Sequence, residues 1–329
     1  MQKELNNSIE LALNNLYQTK QDPNFISEYK KFKPNILNSL KNDYSEFKKF
    51  WELNSKFLSK QTIKSQRSPE QENLIENLKK TLRLSKKVFL QAYAESIYAE
   101  ITNNMRKFYR IEVLINLVTK RFPSLLPDEN IIEKENTLLL KEKEGFEIDY
   151  GIFLSSILSL EKAGLHLCHS MLLPTDSSLE ILEKFDATNE INLGGAKVSR
   201  KENFCELTLT NPDFLNAEDS NTLLPMEVAI DLCLLENKTE LCVFKGGTVN
   251  HHKYKGKNIF GSGINLTHLY KGKIPFLWYI IRDMGAVNKV FRGIANTNIS
   301  PEEMYSGTRE KLWIASLETF AIGGACQYL

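Results

Sequence analysis

The chain has 329 residues, of which 42% are hydrophobic and 25% charged, the composition of a soluble globular protein with room for two domains. Its formal net charge of +1 argues against nucleic acid or an anionic membrane surface as the main partner. Basic residues exceed acidic ones over residues 1–130, and acidic residues are in excess over the rest, which indicates two differently built parts.

The cysteines and the N-terminus favour a cytoplasmic protein. The five cysteines have no paired short spacing, and their odd number and mostly apolar surroundings predict buried thiols in a reducing compartment. Residues 1–10 lack the apolar segment of a secretory signal, and no window of 18 residues is apolar throughout. We therefore expect a cytoplasmic location and no membrane partner.

Residues 1–195 carry apolar side chains at helical spacing and are predicted to form a helical domain. Its first amphipathic helix is expected to end near residues 22–23, and Pro34 suits the start of the next helix. The aromatic and leucine stripes are interpreted as core. We expect this domain to serve packing and assembly. Deletion of residues 1–190 without a change of oligomer or fold would contradict that expectation.

A capping box is predicted at residues 68–71, where a serine precedes Pro69 and a glutamine stands at the third helical position. No proline or glycine interrupts the sequence from Pro69 to Pro123, so the pattern predicts one very long helix or two helices with a kink. Residues 151–173 are expected to form a further apolar helix.

That apolar helix contains His166, Cys168 and His169. Three metal ligands at positions i, i+2 and i+3 of a helix do not converge on one point, and a fourth ligand is not apparent. A metal site is therefore not expected at these residues.

Residues 196–329 are predicted to form the start of an α/β domain. Segments 197–200 and 204–210 alternate like the two strands of a hairpin. A loop at 212–216, a helix over 223–235 and a short apolar strand from residue 241 are expected to follow.

Two stretches of this second part combine apolar residues with glycines. The first glycine corner is residues 260–266, FGSGINL; the second is residues 318–327, ETFAIGGACQ, which follows a predicted buried strand at 312–315. Glycines permit positive φ angles and close approach, and such a corner can aim backbone N–H groups at an oxygen. One Gly-Gly pair alone is more often a plain turn, but two corners could each supply one N–H to a common oxygen.

With a third block, residues 211–219 (NPDFLNAED, the Asn-Ala segment), the two corners resemble the crotonase, or enoyl-CoA hydratase/isomerase, superfamily. The resemblance covers residues 196–329. It implies a spiral of ββα turns, an acyl-CoA substrate and a homo-oligomer built on a trimer. The expected fold class is therefore α+β or α/β: a helical N-terminal domain, 1–195, and the first part of a crotonase-like spiral, 196–329.

Within the superfamily, the closest resemblance is to the cofactor-free oxygenases of dihydroxyphenylacetyl-CoA. It is carried by LNAED at 215–219, the insert at 246–266, IIRDMG at 280–285 and the Cys-Gln pair after the second corner. The resemblance implies a dioxygenase that converts 3,5-dihydroxyphenylacetyl-CoA and O2 to 3,5-dihydroxyphenylglyoxylate and CoA. It implies no metal, flavin or haem, because the substrate enolate itself reacts with O2.

By position in the two motifs, the resemblance assigns the oxyanion-hole donors to the backbone N–H groups of Ile264 and Gly324. Gln327 separates this sequence from the hydratases, in which a catalytic Glu stands at the corresponding position. An amide cannot accept a proton as that carboxylate does, so Gln327 favours the dioxygenase.

The resemblance also places Glu218 and Arg282 against the substrate ring hydroxyls or acyl group; a loop carboxylate and a helix-surface charge are the simpler interpretations. Lys253, Lys255 and Lys257 would lie beside the adenosine phosphates of CoA, although a solvated loop explains such charges equally well. His251 and His252, in the same loop, are not assigned to catalysis, because adjacent residues of an extended segment point in opposite directions.

In the superfamily the fold continues beyond the second corner, so the chain is expected to be truncated at its C-terminus, with a half-built site. Two other interpretations stay open. One is a different crotonase-type acyl-CoA enzyme, such as a hydratase, isomerase or thioesterase. The other is a non-catalytic remnant whose helical half works as an assembly domain.

Overall fold

A computed structural model describes residues 1–298, 300–303 and 307–329. The chain divides into two compact units, Met1–Gly164 and Leu165–Leu329. The sequence placed its boundary at 195–196, where the first hairpin begins. The structure assigns the preceding helix and strand to the second unit, because Phe185 and Ile191 lie in that unit's core. The functional division into an assembly domain and an acyl-CoA domain stays a prediction.

The first unit is built from helices, as the spacing of apolar residues predicted. Short 3-10 turns occur at Lys64–Gln66 and Leu140–Glu142. The helices are α1 Gln2–Gln18, α2 Pro23–Lys31, α3 Leu40–Leu58, α4 Pro69–Ile101, α5 Ile111–Arg121, α6 Glu129–Asn136 and α7 Ile148–Leu158, and α8 Glu161–Leu172 runs across the boundary between the units.

The predicted capping box at the start of α4 is confirmed. The Ser68 hydroxyl accepts a hydrogen bond from the Gln71 N–H at 3.3 Å, and the Gln71 side chain accepts one from the Ser68 N–H at 3.0 Å. Pro69 occupies the first helical position, where its missing N–H costs nothing. Local sequence chemistry is therefore sufficient to fix this helix start.

Ser68→Ala is expected to destabilise the first unit by about 1 kcal/mol, because it leaves an N-terminal N–H of α4 without its side-chain acceptor. Urea unfolding followed by circular dichroism measures the change. Ser55→Ala is the matched control, because Ser55 is an exposed residue inside α3 and alanine favours a helix interior. Equal stability of the two variants would contradict the capping role.

Two helix boundaries differ from the prediction. Pro34 does not start a helix, since α3 begins at Leu40; Pro23 starts α2 instead, behind a side-chain cap from Asp22. The apolar segment predicted at 151–173 is divided between α7 and α8. In both places apolar spacing alone did not locate the break.

The long helical pattern after Pro69 forms two helices rather than one. Helix α4 runs for 33 residues to Ile101, and α5 begins at Ile111. Between them Asn103, Asn104 and Met105 have positive φ angles, and such residues cannot continue a right-handed helix. The interruption is therefore a left-handed turn and not a kink.

The second unit is a five-stranded mixed sheet with helices, which agrees with a mixed helix and sheet class. Strands β1–β2 and β2–β3 are antiparallel, and β3–β4 and β4–β5 are parallel, in the order β1-β2-β3-β4-β5. The predicted hairpin is β2–β3. The crotonase spiral stays a prediction. The strands are β1 Glu190–Asn192, β2 Ala196–Arg200, β3 Cys205–Leu209, β4 Leu241–Gly246 and β5 Leu312–Ser316.

Helix α10 supplies much of the core of this unit. It spans Leu223–Leu235, as predicted, and is buried along nearly its whole length against β2, β3 and the helix Asp176–Thr188, α9. The other helices are α9 Asp176–Thr188, α11 Leu266–Tyr270, α12 Phe276–Ile281 and α13 Asn288–Arg292; Arg282–Val287, between the last two, is π-helical.

Strand β5 is an edge strand, which corrects the prediction of a buried strand. Leu312 and Ile314 are 69% and 47% exposed, whereas Trp313 and Ala315 pack against the core. The alternation follows from the pleat, which sends successive side chains to opposite faces.

The five cysteines differ in burial. Cys205, Cys233 and Cys242 are buried as predicted, while Cys168 is half-buried and Cys326 exposed, and all are unpaired. Burial, reinforced by the neighbouring thiols of Cys205 and Cys242, raises the pKa of Cys233 well above its ordinary value.

No helix of the described chain is both long and apolar enough to cross a membrane.

Candidate active site

The two glycine corners lie side by side. Gly261 and Ala321 form a parallel bridge, and the Ile322 N–H donates to the Gly261 carbonyl at 3.0 Å. Gly263 has φ +75°, and a Cβ there would lie 2.9 Å from the Ile322 carbonyl oxygen. This close approach requires glycine for two independent reasons, the backbone angle and the space.

The Asn-Ala segment joins the first corner through its backbone. The Glu218 N–H donates to the Gly263 carbonyl at 2.7 Å, and the Asn265 N–H donates to the Glu218 carbonyl at 2.8 Å. The amide of Asn216, at φ +52°, donates to the carbonyls of Gly247 and Ile259. All three blocks quoted for the family resemblance therefore meet.

The Asp219 side chain holds the Asn-Ala segment against the first corner. Its buried carboxylate accepts hydrogen bonds from the amides of Asn265 at 2.8 Å and Asn211 at 3.2 Å. His268 Nδ1 lies 2.8 Å from the same oxygen. The side chains thus fix both ends of the Asn-Ala segment against the first corner.

A cavity of about 330 Å³ opens where the three blocks meet. Its walls contain all five residues that the sequence predicted for the site: Ile264, Gly324, Gln327, Glu218 and Arg282. The other lining residues are Ser262, Gly263, Leu266, Trp278, Tyr279, Asp283, Ile322 and Gly323.

The backbone N–H groups of Ile264 and Gly324 have no acceptor within the described chain. The bridge between Glu218 and Ile264 uses the groups of the neighbouring residues, which leaves the Ile264 N–H on the opposite side of the strand. Two unused backbone donors, one from each corner, are therefore available at one cavity.

The Arg282 guanidinium uses all of its N–H groups inside the protein. Nε and Nη2 bind the two carboxylate oxygens of Glu218 at 2.6 and 2.8 Å. Nη2 also donates to the Gly324 carbonyl at 2.8 Å, and Nη1 donates to Asp283 at 2.8 Å and to Gln327 Oε1 at 2.5 Å. Because a guanidinium has five N–H groups, none is left over for a ligand in this arrangement.

The Glu218–Arg282 pair is buried, with side-chain exposures of 1% and 4%. Burial lowers the pKa of Arg282, but hydrogen bonding and attraction to Glu218 outweigh it, and the net pKa is raised. The Tyr328 ring lies 5.1 Å from the guanidinium carbon, and burial, with Glu218 nearby, raises the pKa of its hydroxyl well above the ordinary value. The cation is therefore permanently charged and held on an aromatic face.

Gln327 has a fixed orientation. Its Oε1 accepts from Arg282, which directs Nε2 away from the guanidinium. Within the described residues Nε2 has no acceptor, and Gln327 lines the cavity. The amide therefore presents N–H donors to the cavity.

The chain is 35% identical over 266 residues to the (3,5-dihydroxyphenyl)acetyl-CoA 1,2-dioxygenase of Amycolatopsis orientalis. The two proteins are related. The alignment covers 80% of this chain and 60% of that dioxygenase, so the chain spans less than two thirds of its relative's length. No family model matches the chain. The likeness to the crotonase superfamily as a whole stays a prediction.

The loop proposed to meet CoA lies outside the cavity walls. Lys253, Lys255 and Lys257 are exposed, and the Lys253 ammonium lies 5.1 Å from the Tyr254 ring. Their role toward phosphates stays a prediction. The reason for leaving His251 and His252 unassigned was wrong, because the loop is turned and their rings stand 4.2 Å apart.

The histidines of α8, His166 and His169, are buried. His169 Nε2 is 3.0 Å from the Asn296 carbonyl oxygen, and burial lowers the pKa of its ring. In the part of the chain that the structure covers, no three His, Cys, Asp or Glu side chains are grouped to hold a metal ion.

Sequence reasoning missed the apolar wall of the cavity. Trp278, Tyr279 and Leu266 line it beside Glu218 and Arg282. The signal was present in the aromatic run FLWYII immediately before Arg282, to which the sequence analysis assigned no role. Large apolar walls with a few convergent polar groups are typical of small-molecule sites.

Proposed function

We propose that this chain carries the acyl-CoA site of a cofactor-independent dioxygenase that acts on an arylacetyl-CoA thioester, with 3,5-dihydroxyphenylacetyl-CoA as the substrate. The observation that carries the proposal is the meeting of two unused backbone donors, from Ile264 and Gly324, at one cavity. The relationship to a dioxygenase of that substrate supports the same assignment.

Backbone donors suit the chemistry of a thioester. Removal of the α-proton transfers charge to the thioester oxygen, and two preorganised N–H groups there stabilise the resulting enolate. Because the Ile264 and Gly324 donors belong to two different corners, their separation depends on the contact between the corners and not on either side chain. Trp278, Leu266 and Ile322 give the cavity an apolar wall, which suits O2 because O2 is itself apolar.

The proposed reaction balances without a further reductant. The α-carbon loses both hydrogens and gains one oxygen atom of O2 as a ketone, the O–O and C–S bonds break, and the second oxygen atom completes the carboxylate. The two hydrogens leave as the acid proton and the thiol proton of CoA. The aryl ring, made electron-rich by its hydroxyls, supports oxidation of the enolate.

The polar wall recognises the ring hydroxyls. Each Glu218 oxygen has spare lone pairs beside its bond to Arg282, and the Gln327 amide has spare N–H groups. One hydroxyl can therefore donate to Glu218, and another can accept from Gln327. Arg282 acts through these two side chains, because its own donors are already engaged.

We further propose that Lys253, Lys255 and Lys257 bind the CoA phosphates and that the protein works as a homo-oligomer in the cytoplasm. The three lysines are exposed and closely spaced in one loop, which suits an ionic contact with a polyanion.

Oxygen consumption with free-CoA release is the test, run on this chain and on the complete product of its gene. We expect one CoA released per O2 consumed with 3,5-dihydroxyphenylacetyl-CoA. Phenylacetyl-CoA, which lacks both hydroxyls, is the matched control and is expected to react at least about 100-fold more slowly, because the polar wall would be left unpaired.

Addition of water to an enoyl-CoA, in place of O2 uptake, would assign the site to a hydratase-type enzyme. Absence of both reactions from a folded complete gene product would overturn the dioxygenase proposal. A partner that binds residues 1–195 alone would then support an assembly protein.

A further inference from the structure

The direction of the Arg282 side chain depends on a π-helical segment. Arg282 is the first residue of the segment Arg282–Val287, which joins α12 to α13. A π turn accommodates one more residue than an α turn and is frequent at functional sites. Reversion to a regular α-helix would rotate the residues before the segment by about 100° relative to those after it. Arg282 would then no longer face Glu218.

The segment lies directly on a carboxylate of α10. A Cβ at Gly285, in the middle of the segment, would stand 2.7 Å from Glu227 Oε1 and 3.0 Å from Glu227 Cδ. These distances are shorter than non-bonded contacts allow, so a side chain at 285 would force either the π segment or the Glu227 carboxylate to move. The contact also fixes how closely the π segment approaches α10.

Glu227 is itself held in place. The buried Lys289 ammonium lies 2.8 Å from Glu227 Oε1 and 2.7 Å from Asp231 Oδ1. Asp231 also accepts a hydrogen bond from the Thr175 N–H at 2.7 Å. Because a buried charge without its partner is costly, the Glu227 carboxylate cannot move aside to admit a larger residue at 285.

We propose that Gly285 and Lys289 are positioning residues for Arg282. Lys289 fixes the Glu227 carboxylate, this carboxylate fixes the π segment at Gly285, and the segment aims Arg282 at Glu218 and Gln327. The consequence for substrate binding rests on the proposed function, but the consequence for the direction of Arg282 does not.

The test follows the Nε–H group of Arg282 by ¹H–¹⁵N NMR. This group is buried in its bond to Glu218, and its resonance is assigned by its loss in Arg282→Lys. We expect Gly285→Ala to accelerate exchange of the Arg282 Nε–H hydrogen with water by about tenfold or more, since the π segment must move away from α10. Glu227→Asp, which withdraws the carboxylate by one methylene, should restore protection in the Gly285→Ala background.

Asn288→Ala is the matched control at the start of α13, and it is expected to leave the exchange unchanged because it adds no atom near Glu227. If Gly285→Ala does not fold, Glu227→Asp alone is measured. Its looser contact with the π segment should accelerate exchange of the Arg282 Nε–H hydrogen by about threefold. The proposal is overturned if a folded Gly285→Ala or Glu227→Asp variant protects Nε–H as well as the parent does. It is equally overturned if Glu227→Asp fails to rescue Gly285→Ala.

This readout needs no substrate, so it stays decisive if the dioxygenase proposal fails. Where turnover is measurable in the complete gene product, Gly285→Ala should raise KM for the dihydroxylated thioester by about tenfold, through the displaced Glu218 and Gln327. Phenylacetyl-CoA should be affected far less.

Discussion

In the proposed dioxygenase reaction, Gly263→Ala is expected to lower turnover by roughly 10²–10³-fold, the usual cost of removing an oxyanion donor. The added Cβ would stand 2.9 Å from the Ile322 carbonyl oxygen and 3.4 Å from the Gly324 nitrogen. It would therefore push the second corner away from the first and separate the Gly324 N–H from the Ile264 N–H. Oxygen uptake by the complete gene product measures the loss.

Gly256→Ala is the matched control for this variant. Gly256 has φ +77°, close to the +75° of Gly263, but a Cβ there meets nothing within 4 Å. Both variants share the strain of alanine at positive φ, about 1 kcal/mol or more, and only Gly263→Ala adds the collision. Unfolding of the two variants in urea should differ by a further 1–3 kcal/mol or so, the usual cost of overpacking.

A second control concerns the side chain at the first corner. Ile264→Val keeps the backbone N–H and should change the rate by no more than about threefold, because the donor and not the side chain meets the oxygen. Loss of activity in Ile264→Val, or full activity in Gly263→Ala, would contradict an oxyanion hole made of these two corners.

The parts of the site that the sequence predicted are those specified by short-range chemistry. Gly263 must be glycine for its positive φ and its close neighbour, so the glycines of FGSGINL are locally specified, while the family resemblance identified the stretch as a corner. The capping box at residues 68–71 is likewise a local interaction, and it was located correctly. The α10 helix was located because its apolar run is bounded by polar turns.

Features that depend on distant pairing were not predictable in this way. The exposure of β5 follows from its place at the edge of the sheet, and strand order is not encoded within the strand itself. The left-handed turn at Asn103–Met105 interrupts a helix pattern that contains neither proline nor glycine. Asparagine tolerates φ > 0, yet it also occurs in helices, so the local signal was ambiguous.

The polar residues of the site likewise include features that the sequence indicated and features that depend on the three-dimensional arrangement. The sequence indicated that Glu218, Arg282 and Gln327 belong together, and they line one cavity. The sequence could not show that every N–H group of Arg282 donates to a neighbouring residue, because that depends on where the Gly324 carbonyl and Gln327 lie in space. In the proposed function, this geometry assigns contact with the substrate to Glu218 and Gln327 and not to Arg282.

Arg282→Met is expected to destabilise the second unit by about 3–5 kcal/mol, because it leaves the buried Glu218 carboxylate without its counter-charge. The Gly324 carbonyl and Gln327 lose a donor at the same time. Urea unfolding followed by tryptophan fluorescence measures the change. In a Trp51→Phe background the remaining indoles, Trp278 and Trp313, report on the second unit alone.

The interaction itself is isolated by a double-mutant cycle with Glu218→Gln. If the cost comes from an uncompensated charge, the variant that carries both substitutions should be more stable than Arg282→Met alone by about 1–2 kcal/mol or more. The same cycle on the exposed pair Glu190–Lys197, 2.8 Å apart, should give a much smaller coupling, since solvent screens it. Equal couplings for the two pairs would mean that Glu218 and Arg282 are not buried together as described. A large coupling for Glu218–Arg282 alone would establish that this wall of the cavity is held by one desolvated ion pair, which fixes the position of the Glu218 carboxylate before any ligand arrives.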